Sequence, residues 1–168
     1  IVYGDEMITA MFFSTSNGKT ETAQNYSGSS IPYLQSVESP GEDIVAAEVE
    51  RQIELTLDEW NTAIGSTWNA DRFKSLQLVR NQTGRVQKAV SGDFEMSGRK
   101  MREQLGLAST DFNIAYDVTH RIVIIDTLGY GHGVGMSQYG AEAFAQKGWV
   151  AENILPYYYS GTKIKKFE

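Results

Sequence analysis

The 168-residue chain is 41% hydrophobic and 21% charged, with 16 Gly, 3 Pro and no biased or repetitive tract; this length and composition support one globular domain over 1–168 and exclude a disordered chain. Its net charge of -6 argues against a nucleic-acid partner, because phosphate binding draws on clustered Lys and Arg. With no cysteine there is neither a disulfide framework nor a thiolate metal site.

The opening Ile1-Val2-Tyr3-Gly4-Asp5-Glu6 runs almost at once into a strand pattern, with neither a Met nor a charged-then-apolar leader. It reads as the start of a fragment, with any targeting or anchoring segment elsewhere. No apolar run approaches the roughly 18 residues needed to span a bilayer. Residues 8–13 are apolar and aromatic, as a buried strand is, and the polar stretch 14–18 is the loop that leaves it. Residues 19–41 are rich in Ser, Thr, Asn, Gly and Pro, an irregular segment of the kind used for binding, anchored by Tyr33, Leu34 and Val37. Ile53, Leu55 and Leu57 alternate with polar residues as a half-buried strand does; Asp58 is placed to cap a short helix through Ala63, stopped by Gly65.

Residues 76–80 and 86–90 flank Asn81-Gln82-Thr83-Gly84, a hairpin signature. Ser97 is placed to cap a helix over 99–105, which Gly106 ends. Phe112, Ile114 and Tyr116 alternate, and 121–127 forms a further apolar strand. A Gly-rich run, 128–136, then leads into a helix over 137–147 that opens with the Ser137 hydroxyl as cap and ends before Gly148, and a second short helix from Glu152 carries Leu155, Tyr157, Tyr158 and Tyr159. Lys163, Lys165 and Lys166 read as a solvated strand end. Strands dominate, helices gather late, and no repeat or linker divides the chain. The fold class is therefore α+β, a strand-rich mixed domain with a few short helices.

The most informative segment is Gly129-Tyr130-Gly131-His132-Gly133-Val134-Gly135-Met136-Ser137-Gln138-Tyr139-Gly140-Ala141. Its alternate glycines let the backbone approach a ligand closely and adopt positive φ, while the next helix directs its free N–H groups back into the loop. The dinucleotide pattern G-x-G-x-x-G does not fit, because position 134 is Val and position 136 is Met. A Ser-His-Asp triad through Ser137 lacks the final Gly of G-x-S-x-G. His132, flanked by glycines in a loop, has few packing duties and reads as functional; His120, between two strand patterns, reads as a turn residue. A metal-dependent hydrolase using both histidines has no clear third ligand.

Read whole, this string resembles the SpoIID/LytB family, whose members carry a near-identical G-H-G-V-G-M-S-Q-x-G-A stretch. Further segments follow in the family's order: Phe13-Ser14-Thr15-Ser16-Asn17-Gly18-Lys19-Thr20-Glu21, then Pro32-Tyr33-Leu34-Gln35-Ser36-Val37-Glu38, then Ser97-Gly98-Arg99 with Arg102, Leu105 and Gly106, and the closing 154–162. The resemblance covers nearly all of the chain. Two departures matter. The family's presumed catalytic glutamate lies on a helix before the F-x-S-T-S segment, and nothing here matches that helix, so the acid is expected upstream of Ile1. Some relatives also place a His before S-T-S and hold zinc with it and cysteines; Phe13 and the absence of Cys argue against a metal site of that type, and no cofactor is expected.

The resemblance implies a lytic transglycosylase that cleaves the β-1,4 bond between N-acetylmuramic acid and N-acetylglucosamine, acting on glycan strands stripped of stem peptides during septum remodelling and engulfment. It implies an extracytoplasmic, membrane-anchored whole protein at the sporulation septum, whose partners are peptidoglycan glycan strands, an amidase and septal membrane proteins. Ser14, Thr15, Ser16 and Lys19 would form one wall of the cleft and His132, Ser137, Gln138 and Tyr139 another, hydrogen bonding to acetamido and hydroxyl groups. Without the resemblance, Ser14-Thr15-Ser16 reads equally as a capped turn, and Arg99 and Arg102 read as a solvated helix face rather than a site for an anionic stem. The tyrosines at 157–159 read as packing residues. Glu21, Glu38 and Glu142 are the carboxylates nearest the motifs, and none stands at the family's acid position. The alternative is a non-catalytic wall-binding module that enhances an amidase.

Overall fold

The computed structural model describes residues 1–166. In chain order its elements are β1 (Val2–Tyr3), β2 (Glu6–Met7), β3 (Phe12–Phe13), α1 (Ala23–Ser27), α2 (Glu42–Val45), β4 (Glu50–Thr56), α3 (Leu57–Ile64), α4 (Ala70–Lys74), β5 (Gln77–Arg80), β6 (Val86–Ser91), β7 (Phe94–Ser97), α5 (Gly98–Leu105), β8 (Phe112–Asp117), β9 (Ile122–Leu128), β10 (Met136–Ser137), α6 (Gln138–Gln146) and α7 (Ala151–Tyr158). The fold is mixed α+β. It divides into two compact units, Glu50–Leu128 and a unit made of Ile1–Val49 with Gly129–Glu168.

In the 50–128 unit, period-2 alternation sets the larger antiparallel sheet, ordered β4-β9-β8. Register places Ile53 beside Ile125 and Leu55 beside Val123, while Ile114 and Tyr116 flank the same two residues from β8. One face therefore collects the apolar side chains, and Val123 and Ile125 are wholly buried. The opposite face is polar, with Gln52, Asp126 and Asn113 in register. The expected hairpin forms as β5 and β6, with a register shift at Val79/Arg80, and β7 extends it into a meander. Packed onto these strands is an aromatic cluster in which Trp60 meets Trp68 edge-on at 5.3 Å and Phe73 stacks on Tyr116 at 4.5 Å. Full burial of a large apolar side chain contributes about 1.5–3 kcal/mol; Trp60 and Trp68 are fully buried, while Phe73 and Tyr116 are half-buried.

Helix ends follow local chemistry. Ser97 accepts the Lys100 N–H to start α5, and Gly106 ends that helix in the left-handed region. At α3 the cap is Thr56 rather than Asp58. Its hydroxyl accepts the Glu59 N–H while the Glu59 carboxylate reaches back to the Thr56 N–H, a reciprocal box that a cap at Asp58 would forgo.

In the other unit, residues 8–13 yield only the two-residue β3, with Phe12 57% exposed. Its partner β10 stands between the last positive-φ glycine of the run, Gly135, and the start of α6 at Gln138, which leaves room for only two pairs. The irregular 19–41 stretch is anchored as expected by Leu34, buried, with Tyr33 and Val37 partly so. It also contains the short helix α1, capped by Thr22. Leu34, Val134, Phe144, Ile154, Tyr158 and Tyr159 form this unit's core.

Candidate functional site

The Ser14-Thr15-Ser16 segment lies along the Gly-rich run. Phe12 pairs with Met136 and Phe13 with Ser137 in the parallel β3–β10 contact. Thr15 and Tyr130 exchange both backbone hydrogen bonds, at 3.0 and 2.7 Å. Such closeness requires glycine at 135: a Cβ there would stand 2.0 Å from the Met11 carbonyl oxygen, and φ is +80°. That same carbonyl accepts the Met136 N–H at 3.1 Å and the Tyr159 hydroxyl at 2.8 Å.

At the centre is a residue that reading the sequence did not single out. Glu42, the first residue of α2, is 3% exposed. Its Oε1 accepts the hydroxyls of Ser16 and Ser39, both at 2.6 Å, and its Oε2 accepts the Ser16 N–H at 2.7 Å and the Ser137 hydroxyl at 2.8 Å. Since the Ser39 proton goes to Glu42, the Tyr158 hydroxyl 2.6 Å away donates to Ser39. Burial pushes the Tyr158 phenol far above its usual range, which holds it as a neutral donor. Ser137 also caps α6 by accepting the Gly140 N–H at 3.2 Å, so the carboxylate sits at the end of a helix whose dipole favours negative charge. Four donors and a helix N-terminus offset the cost of burying the charge.

A second buried carboxylate stands by the His132 loop. Glu21 is 3% exposed; its N–H donates to the Gly133 carbonyl at 2.7 Å, and its Oε1 accepts the Thr22 N–H at 2.8 Å and the Asn25 amide at 2.9 Å. His132 is half-buried, its ring 5.5 Å from that of Tyr26 and 5.8 Å from that of Phe13. Its Nδ1 accepts the Val134 N–H at 3.0 Å, which places the proton of the neutral ring on Nε2.

Of the residues named from the sequence, Ser14, Thr15, Ser16, Ser137 and Tyr139 are brought together: the Tyr139 N–H donates to the Ser14 carbonyl at 3.1 Å, and the Ser14 and Thr15 hydroxyls lie 3.1 Å apart. The hydroxyls of Ser16 and Ser137 are committed to Glu42 and buried, whereas the Tyr139 ring is 37% exposed. Gln138 is exposed at the start of α6. Lys19 lies further out, 3.4 Å from Glu38. Glu142 is exposed on α6 and accepts the Gln146 amide at 3.0 Å. Arg99 pairs with Glu103 along the exposed side of α5 at 2.9 Å.

Among the described residues no group of three or more His, Asp or Glu is arranged to hold a metal ion. His120 belongs to the β8–β9 turn in the 50–128 unit, where Asp117 accepts the N–H groups of Thr119 and His120 and lies 2.7 Å from the His120 ring. The hydrogen bond that His120 donates to Asp117, then the charge of Asp117, raises the His120 pKa above 6.5, and the same contact lowers that of Asp117 below 3.8. The raised histidine contributes stability below the unfolded value and loses it as pH rises through the folded one; the carboxylate contributes above its unfolded value and loses it as pH falls. The pair therefore acts between the two folded values. In an NMR titration His120 is expected to titrate above the usual histidine value and to return to it in Asp117→Asn; no shift between the two proteins would refute the pairing.

The ordered motifs resemble those of the SpoIID/LytB class, and the structure brings the S-T-S turn against the Gly-rich run. By sequence the chain is similar to proteins of that class. Stage II sporulation protein D of Bacillus subtilis (strain 168) is 37% identical over 177 residues, covering 99% of this chain and 48% of that protein. Stage II sporulation protein D of Bacillus amyloliquefaciens is 37% identical over 166 residues, covering 99% of this chain and 47% of that protein. A more distant relative, the amidase enhancer of Bacillus subtilis (strain 168), is 23% identical over 218 residues, covering 98% of this chain and 31% of that protein. The chain thus spans about half the length of the sporulation relatives. No family model matches it.

Proposed function

We propose that the chain is the glycan-handling part of a lytic transglycosylase that remodels the cell wall during sporulation, cleaving between N-acetylmuramic acid and N-acetylglucosamine. The observation that carries this reading is 37% identity to stage II sporulation protein D along 99% of the chain. In the reaction one carboxyl protonates the leaving glycosidic oxygen as the C1–O bond breaks. The resulting carboxylate then takes the proton of the sugar's own C6 hydroxyl as that oxygen closes on C1, giving a 1,6-anhydro end without net addition of water. A second carboxylate is not required. Glu42 is poorly suited to be the acid, since a proton donor must reach the scissile oxygen, and this residue is 3% exposed with both oxygens engaged. The acid is then a glutamate outside residues 1–168. His132, Gln138 and Tyr139 contact the sugar, and Glu42 holds the two motifs in place. The whole protein works outside the cytoplasm at the septum, after an amidase has removed stem peptides; no described helix is long and apolar enough to cross a membrane.

The test is to incubate glycan strands, with and without stem peptides, with this chain and with a version extended at its N-terminus, reading products by mass spectrometry. Anhydro-muramic ends from the extended protein alone are expected. The second reading, a non-catalytic module that enhances an amidase, is supported by the relative of that name; no new ends from either protein, with strand binding intact, would replace the first reading by the second.

A further inference from the structure

Trp149, just after α6, is not explained by the contacts of the Gly-rich run. Its ring stacks on Phe144 at 4.6 Å and 24° and meets Tyr157 edge-on at 5.6 Å and 86°. So held, the indole is a fixed plate, yet it stays 38% exposed while Trp60 and Trp68 are 0% and 2% exposed. A cleft of about 590 Å³ beside it is bordered by Glu152, Asn153 and Tyr157. A groove of about 400 Å³, also lined by Trp149, passes Ala145 and Ala141 to reach Gln138 and Met136. This groove connects the Gly-rich motif to Trp149 along α6, whose nine residues give a run of roughly 13 Å.

The chemistry of that path is specific. The path is mostly apolar, with Ala141, Ala145 and Ala151 beside Ile154 and Leu155, and hydrogen-bonding groups stand at both ends. Glu152 and Asn153 are exposed, and neither side chain takes a hydrogen bond or ion pair from another described residue. An aromatic plate beside an acceptor-only carboxylate and a donor–acceptor amide suits a pyranose, whose axial C–H groups offer an apolar face to the ring while its hydroxyl and acetamido groups meet the rim. The length suits an extended oligomer rather than one sugar, and the absence of a basic cluster suits a neutral glycan over an anionic polymer.

We infer that Trp149 is a distal subsite for a glycan strand, stacking on a sugar beyond those that meet the Gly-rich run. The inference rests on the proposed function and adds where the strand is gripped. The experiment titrates the chain with N-acetylglucosamine oligomers of increasing length and with peptide-free glycan strands, following tryptophan fluorescence and calorimetry. Because Trp60 and Trp68 are buried, a saturable fluorescence change reports Trp149. Affinity is expected to fall by about threefold to tenfold in Trp149→Ala. It is also expected to fall in the Glu152→Ala/Asn153→Ala double variant, whose melting temperature should not move. Unchanged binding in both variants would overturn the inference. So would a larger sedimenting mass that Trp149→Ala abolishes without any glycan response, which assigns the face to a second copy. Binding through Trp149 with no anhydro ends from the extended protein would remove the transglycosylase reading and keep the subsite; anhydro ends with Trp149 silent would do the reverse.

Discussion

Glu42→Ala is expected to lower the melting temperature of the unit that contains it by on the order of 10 °C. The substitution leaves the Ser16 N–H and the hydroxyls of Ser16, Ser39 and Ser137 without their acceptor in a site that is 3% exposed or less. A hydroxyl can turn to another partner, but the backbone N–H cannot. Buried donors left unsatisfied cost about 1–3 kcal/mol each, so partial rescue by rotation leaves a loss of about 3–5 kcal/mol, a large share of a typical domain's stability. Glu42→Gln should cost less. Its amide oxygen can stand at the Oε2 position and accept the Ser16 N–H and the Ser137 hydroxyl, while its NH₂ faces the Ser16 and Ser39 hydroxyls, which can turn to accept. The expected order in thermal melts is therefore wild type, then Gln, then Ala. An alanine variant as stable as wild type would remove the carboxylate from the centre of the fold. A folded glutamine variant that, in the extended protein, binds glycan yet makes no anhydro ends would instead make Glu42 the missing acid.

Why that carboxylate was not legible follows from where its partners lie. Ser16, Ser39 and Ser137 are spread over most of the chain, and the local pattern Ser39-Pro40-Gly41-Glu42 announces only a turn with an acid beginning a helix. Features with short-range causes were legible: the caps at Ser97 and Ser137, the glycine stops at 65 and 106, the 81–84 hairpin and the alternation in β8 and β9. The cap at Thr56 had a local signature too, in Glu59 three residues on, but Asp58 is an equally good capping residue by type. Residues 8–13 misled because their composition is that of a buried strand, whereas strand length is set by a partner, and here the partner is two residues between a glycine run and a helix. The short helices α1, α2 and α4 have no period to read at four or five residues each, and at that length tertiary contacts rather than propensity decide. The site's sequence motifs could be read as a string, but that one buried anion gathers Ser16 and Ser137 depends on the fold.

Gly140→Ala sets two of these effects against each other. Glycine inside a helix is less favourable than alanine by about 1 kcal/mol, so on propensity alone the substitution should stabilise α6. The added Cβ, however, would stand 2.1 Å from the Ser39 hydroxyl, 2.2 Å from the Tyr158 hydroxyl and 2.9 Å from Glu42 Oε1. None of these atoms is the loose end of a flexible chain: Ser39 is bonded at 2.6 Å to both Glu42 and Tyr158, and all three residues are buried. Overpacking a close-packed site costs about 1–3 kcal/mol, and opening the network adds about 1 kcal/mol for each hydrogen bond that breaks. The clash wins, and Gly140→Ala is expected to destabilise by about 2–4 kcal/mol. Gly148→Ala is the control, because nothing lies within 4 Å of a Cβ there and only the positive φ of 87° opposes it, at about 1–2 kcal/mol. Paired chemical denaturation of the two variants decides the matter. A Gly140→Ala protein more stable than wild type would mean that Ser39 and Tyr158 can move aside, and that the carboxylate does not need a side-chain-free position on α6.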